Sequence, residues 1–498
     1  MKKLGKKQIA LGGLLVTLTC MSIIALILSL ARHYTVDLPY VTQYGIVFDA
    51  GSSHTSLYLY KWPGGKQNNT GIVSQQLMCE ADGGGIASYV ENPPEAGRSL
   101  VKCLDVAMAA VPSGQQSTTP LYLGATAGMR LLSLQNPDQS DQILAEVTKT
   151  IRGYPFDFRG ALILSGTEEG AYGWITINYL LEGLIKYTFE GQWVHPKTGR
   201  ILGALDMGGA STQISFTPQE PVRDPASAKD LQLYGYKYQV YTHSYLCYGQ
   251  DQAVKQLQVY LFKTTGSPSI VRHPCYPLGY NLTMTLGELF NSPCVEKPAN
   301  FDSATSVTFS GASESQSCLD LMENIVNVTD CPYTPDCGFN GAYQPPVYGT
   351  FFAFSAYFYT FDFLGLAPQS PLPKVISTID AFCNRTWESL RAEYPDVREQ
   401  YLRDYCFAAH YIMTVLLRGY KFNDTWDQIY FYRTVADTDI GWTLGYMLNL
   451  TNMIPAERPL VVTGVQHSQF AAEVFFIVFV LFLSLCVIIM LCVWNTEH

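Results

Sequence analysis

The stretch Gly45-Ile46-Val47-Phe48-Asp49-Ala50-Gly51-Ser52-Ser53 puts an acidic residue at the end of an apolar run and follows it with a turn of small residues. The pattern returns 157 residues later, where Asp206-Met207-Gly208-Gly209-Ala210-Ser211 follows Leu202-Gly203-Ala204-Leu205. Each copy reads strand, glycine turn, strand. The echo predicts a duplicated lobe with the two turns face to face across a cleft. Residues 121–123 and 161–164 are further short strands, running into Gly124-Ala125-Thr126-Ala127-Gly128 and Ser165-Gly166-Thr167-Glu168-Glu169-Gly170. Residues 171–184, 398–420 and 441–450 have helical character. Apolar strands alternating with helices predict an α/β fold. Residues 217–348, richer in Pro, Ser and Cys, read as a loop-rich insertion pinned by disulfides.

The turns suit an anion. Small residues allow close backbone approach, their N–H groups can point inward, and Ser52, Ser53, Thr126 and Ser211 add hydroxyls. A carboxylate beside phosphate makes sense when a hard divalent cation lies between them, so Asp49 and Asp206 are candidate holders of metal-bound water. A single such Asp is as well explained by an Asx turn; a matched pair is not. Glu168 and Glu169 sit at a strand-to-helix junction, where either could deprotonate an attacking water or simply favour the helix start. Residues 351–363 hold eight Phe or Tyr in thirteen, which fits a core strand or a surface for a base. His54 and His243 are possible phosphate donors, though a lone His is usually neither donor nor ligand. No P-loop, zincin or nucleophile-elbow motif occurs.

The chain has 498 residues and a net charge of −10 without a long basic run, which argues against nucleic acid as a partner. Residues 9–31 and 474–494 are uncharged and long enough to span a bilayer. Lys2, Lys3, Lys6 and Lys7 precede the first run and put the N-terminus in the cytosol. A cleaved signal peptide is the alternative, but its apolar region would be shorter. Two spans leave residues 32–473 outside, with 28 Lys and Arg against 41 Asp and Glu. Sequons at Asn68, Asn281, Asn327, Asn384, Asn423 and Asn449 agree with that location. So do ten cysteines between the runs, an even number that reads as disulfides. Zinc is the alternative, but no C-x2-C pair occurs.

Five segments together resemble, in order, the five apyrase regions of the ecto-nucleoside triphosphate diphosphohydrolases: residues 45–56, 124–130, 168–174, 206–213 and 441–446. The likeness covers residues 45–455 and points to the cell-surface, two-span branch at the plasma membrane. It implies two RNase-H-like lobes of the actin and sugar-kinase type, with the active site between them. Lobe I would comprise residues 44–165 plus about 433–465, and lobe II residues 166–432. The flanking spans are residues 9–31 and 474–494, with cytoplasmic tails 1–8 and 495–498 and possible homo-oligomers through the spans. The resemblance implies hydrolysis of nucleoside tri- and diphosphates to monophosphates, with Ca²⁺ or Mg²⁺, in the control of extracellular nucleotide signalling. Glu169 matches the base, and Ser211 and Gln213 the groups that hold the water. Asp49 and Asp206 match the metal carboxylates, acting through water. Ser52, Ser53, His54, Thr126, Ala127, Gly208 and Gly209 match the phosphate cradle. Tyr359 matches a base-stacking ring, and Tyr401 stands where some relatives carry Arg. The implied disulfides are Cys79–Cys103, Cys247–Cys294, Cys275–Cys318, Cys331–Cys337 and Cys383–Cys406. A sugar-kinase-like transferase and an inactive adhesion glycoprotein are the rival readings.

Overall fold

The computed structural model describes residues 6–31, 35–37, 41–196, 199–329, 331–454, 461–463 and 467–497. The ends of both tails, the start of the outer segment and residues 455–460 and 464–466 lie outside them. The chain divides into two compact units, residues 42–456 and the two terminal segments.

Residues 42–456 are built on two sheets that repeat one plan. The first contains β1 (Thr42–Ala50), β2 (Thr55–Pro63), β3 (Ser74–Glu80), β4 (Pro120–Ala125) and β5 (Asp157–Ile163), in the spatial order β3-β2-β1-β4-β5. Strands β1, β2 and β3 pair antiparallel, and β4 and β5 join in parallel. The second contains β6 (Gly203–Met207), β7 (Ser211–Phe216), β8 (Ala228–Leu233), β9 (Tyr236–Leu246), β10 (Phe351–Ser355) and β11 (Ile429–Phe431), in the order β8-β9-β7-β6-β10-β11. Again the first strands pair antiparallel, and β10 and β11 add in parallel. Leaving β8 aside, the order is the same in both. The first strand of each sheet is central, and each ends in its Asp turn. Alternation explains the burial: Ile46, Phe48 and Ala50 face a core with Leu57, Leu104 and Leu123, while Val47 faces a second cluster with Trp174 and Met447.

Residues 217–348 are more ordered than the expectation of a loop-rich insertion. Strands β8 and β9 complete the second sheet, because the aromatic-rich run through Tyr238, Val240 and Thr242 fits a pleated, half-buried surface. A small three-stranded sheet (Ile270–His273, Asn281–Thr285, Ser306–Gly311) and the helix Gln250–Thr264 follow. The segment at 351–363 is part strand and part helix (Ala356–Phe363). The structure contains the disulfides Cys79–Cys103, Cys247–Cys294, Cys275–Cys318, Cys331–Cys337 and Cys383–Cys406. The Cys318 and Cys406 sulfurs and His410 lie within 4.8 Å of one another, but both sulfurs are already in disulfides and offer no thiolate to zinc.

Two helices tie the sheets together. Gly166–Leu180 crosses Trp442–Thr451 so closely that a Cβ on Gly445 would lie 1.9 Å from the Tyr172 carbonyl oxygen. The Thr176 hydroxyl donates to the Gly441 carbonyl (2.6 Å) and accepts from the Gly445 N–H (2.9 Å). Beyond the crossing, the loop after β2, the β8–β9 turn and the end of the last helix share one hydrogen-bonded knot. Thr70 Oγ1 donates to Asn452 Oδ1 (2.7 Å) and accepts from the Tyr234 N–H (2.9 Å). Asn452 Nδ2 donates to the Gln232 carbonyl (3.0 Å), and Lys66 Nζ donates to the Thr451 and Ile454 carbonyls.

The terminal unit consists of the helices Lys6–Ala31 and His467–Glu497 and a strand pair, Thr35–Asp37 with Val461–Thr463. Residues 9–30 and 468–493 are long and apolar enough to cross a membrane. Among the less exposed positions, Leu15, Thr19, Ser22, Leu26 and Ser29 on one helix and Val474, Ile477, Leu481, Ser484 and Ile488 on the other recur every three or four residues. The Thr19 and Ser484 hydroxyls meet at 3.0 Å within that seam.

Candidate active site

The two Asp turns meet. A Cβ on Gly209 would lie 2.9 Å from Ser52 Oγ, 2.8 Å from Ser53 Oγ and 2.3 Å from Asp251 Oδ2. A side chain there would have to displace those three side-chain oxygens. The second turn is closed by the Gly208 N–H donating to the Ser211 carbonyl (2.9 Å). Thr126, buried, donates its N–H to the Ala50 carbonyl (3.1 Å) and precedes the helix Ala127–Gln135. The cradle candidates therefore converge, with Ser53 and His54 exposed at the rim.

The two adjacent glutamates part company. Ser165 caps the helix Gly166–Leu180, and Glu168 closes its capping box by accepting from the Ser165 N–H (3.3 Å) and hydroxyl (2.8 Å). Glu169 lies about 100° further round the helix and enters the cleft. Its Oε2 accepts from the Arg130 guanidinium (2.6 Å) and from Gln213 Nε2 (3.1 Å). Gln213 Nε2 also lies 2.8 Å from Ser211 Oγ and 3.0 Å from Ser244 Oγ, and Arg130 donates to Ser211 Oγ (3.1 Å). Glu169, Ser211 and Gln213, named from sequence, thus form one contact group. Gln213 Oε1 is buried without a partner.

Electrostatics sharpen the picture. Burial, then the charge of Glu169, pushes Asp49 up to about 7, against an offset from the Trp442 indole. Burial, Glu169 and Asp49 push Asp206 up to about 8, with Ser355 and the Met207 N–H pulling the other way. Burial also raises Glu169, while Arg130 lowers it. Arg130 pairs with Glu169, no cation pairs with Asp49 or Asp206 among the described residues, and Asp49 Oδ1 is buried without a hydrogen-bond partner. Hard oxygen donors crowded together with too little positive charge fit a divalent cation.

Tyr359 and Tyr401 stand on the helices Ala356–Phe363 and Glu399–Thr414 with their rings exposed. His243 lies on the β9 face opposite Ser244, stacked edge-on against Tyr245, and lines a cavity of about 370 Å³ with Asp224 and Tyr343. It is not in the cleft. Sequence reasoning missed Arg130, Ser244 and Asp251. Arg130 lies one helical turn after Thr126, a readable signal. Ser244 arrives only through the pairing of β7 with β9, register Gln213 to Ser244, which no local pattern announces.

Residues 37–463 match the GDA1/CD39 (nucleoside phosphatase) family. The chain is 49% identical to ectonucleoside triphosphate diphosphohydrolase 8 of Gallus gallus, across 97% of this chain and 98% of that one. It is 47% identical to ectonucleoside triphosphate diphosphohydrolase 8 of Homo sapiens across 92% of each chain, and 49% identical to ectonucleoside triphosphate diphosphohydrolase 2 of Homo sapiens across 86% and 87%. The solved nucleoside triphosphate hydrolase of Neospora caninum shares the fold, with a TM-score of 0.59 at 15% identity over 86% of this chain and 94% of that one. With a family match across most of its length and relatives near half identical end to end, the chain belongs to the GDA1/CD39 (nucleoside phosphatase) family.

Proposed function

We propose that this enzyme hydrolyses nucleoside tri- and diphosphates to monophosphates and inorganic phosphate, with water as the acceptor and Glu169 as the base. The meeting of Glu169, Ser211 and Gln213 beside two anion-binding turns carries this reading. The terminal phosphoryl lies between the turns, bound by backbone N–H groups of residues 51–54 and 209–211 and by the Ser52, Ser53 and Thr126 hydroxyls. Ser211 and Gln213 hold a water in line with the leaving oxygen. Glu169 draws its proton as the oxygen attacks phosphorus, and the proton rests on the carboxylate until product leaves. Arg130 opposes the upward push of burial on Glu169 and fixes its rotamer. Asp49 and Asp206 would hold Ca²⁺ or Mg²⁺ through its waters. A bound cation supplies positive charge to the phosphoryl oxygens. Tyr359 and Tyr401 offer faces for the base.

The cleft faces the cell exterior in this reading, anchored by the two apolar helices, and the enzyme lowers extracellular nucleotide signals. The disulfides and sequons support that side. The test is phosphate release from ATP, ADP and AMP, given separately with Ca²⁺ or Mg²⁺ and no acceptor alcohol. ATP and ADP should be consumed and AMP spared. Release that needs an added alcohol, or equal attack on AMP, refutes it.

A further inference from the structure

One acidic group in the cleft takes no part in that mechanism. Asp251 stands in the first turn of the helix Gln250–Thr264, whose start is bound to the second turn: the Gln250 N–H donates to the Gly208 carbonyl (2.9 Å) and the Gln252 N–H to the Gly209 carbonyl (3.1 Å). An acidic residue there gains from the helix dipole wherever its carboxylate points. This one reaches across the cleft. Its Oδ2 accepts from Ser53 Oγ of the opposite turn at 3.3 Å. It also lies closer to the outward face of Gly209 than either serine hydroxyl does.

A long hydrogen bond between two exposed groups is weak and readily exchanged. A phosphoryl oxygen entering between the turns needs the same Ser53 hydroxyl, and its negative charge then lies beside the Asp251 carboxylate. We propose that Asp251 is a positioning residue that holds Ser53 in the empty cleft, yields it to the entering phosphoryl, and by its charge weakens the grip of the turns on inorganic phosphate, so that this product leaves. The proposal rests on the hydrolase reading above. Nucleotide has its base and remaining phosphate as further anchors, whereas free phosphate has only the turns and the cation. The charge therefore discriminates against product more than against substrate.

The test is inhibition of nucleotide hydrolysis by added orthophosphate, on the full-length chain in membranes. Asp251→Asn keeps the size and an acceptor for Ser53 but removes the charge. Repulsion between solvent-screened charges is modest, even with the two charges of phosphate. The phosphate inhibition constant should fall roughly three- to tenfold, KM for nucleotide should fall less, and kcat should not rise. The difference from wild type should shrink at high ionic strength, which a purely structural defect would not do. Asp251→Ser, uncharged and too short to reach Ser53, should lower the inhibition constant as well and serves if Asp251→Asn misfolds. An inhibition constant unchanged or raised in an active variant overturns the proposal and leaves the hydrolase reading intact. Absence of nucleotide-derived phosphate from wild-type protein overturns both.

Discussion

Replacing Glu168 and Glu169 separately by Gln should split stability from turnover. Glu168 accepts from the Ser165 N–H and hydroxyl and lies 3.8 Å from Lys229, a long and exposed ion pair. Glu168→Gln keeps the shape of the box and loses charge at a helix N-terminus, a change of about 0.5–1 kcal/mol. In a unit this large that is a melting shift of only a few degrees. Turnover should stay within about twofold. Glu169→Gln removes a proton acceptor from a cluster with two other carboxylates. Its amide oxygen still accepts from Arg130, whose side chain is only 13% exposed, so the guanidinium is not stranded. The loss of general-base assistance is ~10²–10⁴ in kcat, or about 3–5 kcal/mol of barrier. The assay is kcat, KM and melting temperature for both variants, with surface expression checked on cells. A nearly normal Glu169→Gln beside a dead Glu168→Gln would refute the assignment. Equal tenfold losses would show that the helix start, not one carboxylate, sets the rate.

Ca²⁺ should raise the melting temperature more at pH 8.5 than at pH 6, because Asp49 and Asp206, raised to about 7 and 8, must shed protons to accept a cation; a pH-independent shift in calorimetry would contradict their role. His273, buried and stacked on Tyr276, is held down to about 3 by burial and by Arg403, and His410 to about 4 by burial. Both folded values lie below the unfolded one, so the unfolded chain binds the extra protons and stability is lost as pH falls below about 6.5. At pH 5 each His costs about 2 kcal/mol. His273→Phe should therefore halve this part of the acid loss, measured as the difference in unfolding free energy between pH 7.5 and 5; an unchanged difference refutes it. Intact cells expressing the chain should hydrolyse added ATP; activity seen only after permeabilisation would reverse the proposed topology.

Both Asp turns are legible in the chain because a carboxylate at a strand end, followed by glycine and serine, is a local pattern. The residue pattern leaves open which of Glu168 and Glu169 faces the cleft; only the resemblance points to Glu169, and the structure supplies the reason, a capping box that commits Glu168 to the helix end. Residues 217–348 misled because their proline and cysteine content outweighs the alternation that makes Tyr236–Leu246 a core strand. Asp251 and Ser244 enter the cleft through packing of distant segments, which no window of sequence contains.

The Thr70–Asn452–Tyr234 knot has a mechanical consequence. It lies at the end of β1 and β9 remote from the Asp turns, roughly 25 Å away by strand rise. Held there, and again where Gly445 crosses Tyr172, the two sheets are joined so that opening like jaws on a common pin breaks the fewest of these contacts. A swing of about 5° on such an arm carries Gly209 about 2 Å from Ser52, from the touching distance seen here to a gap that admits a phosphoryl oxygen. Lys66, Thr70 and Asn452 would therefore govern the opening of the cleft from a place far from its chemistry.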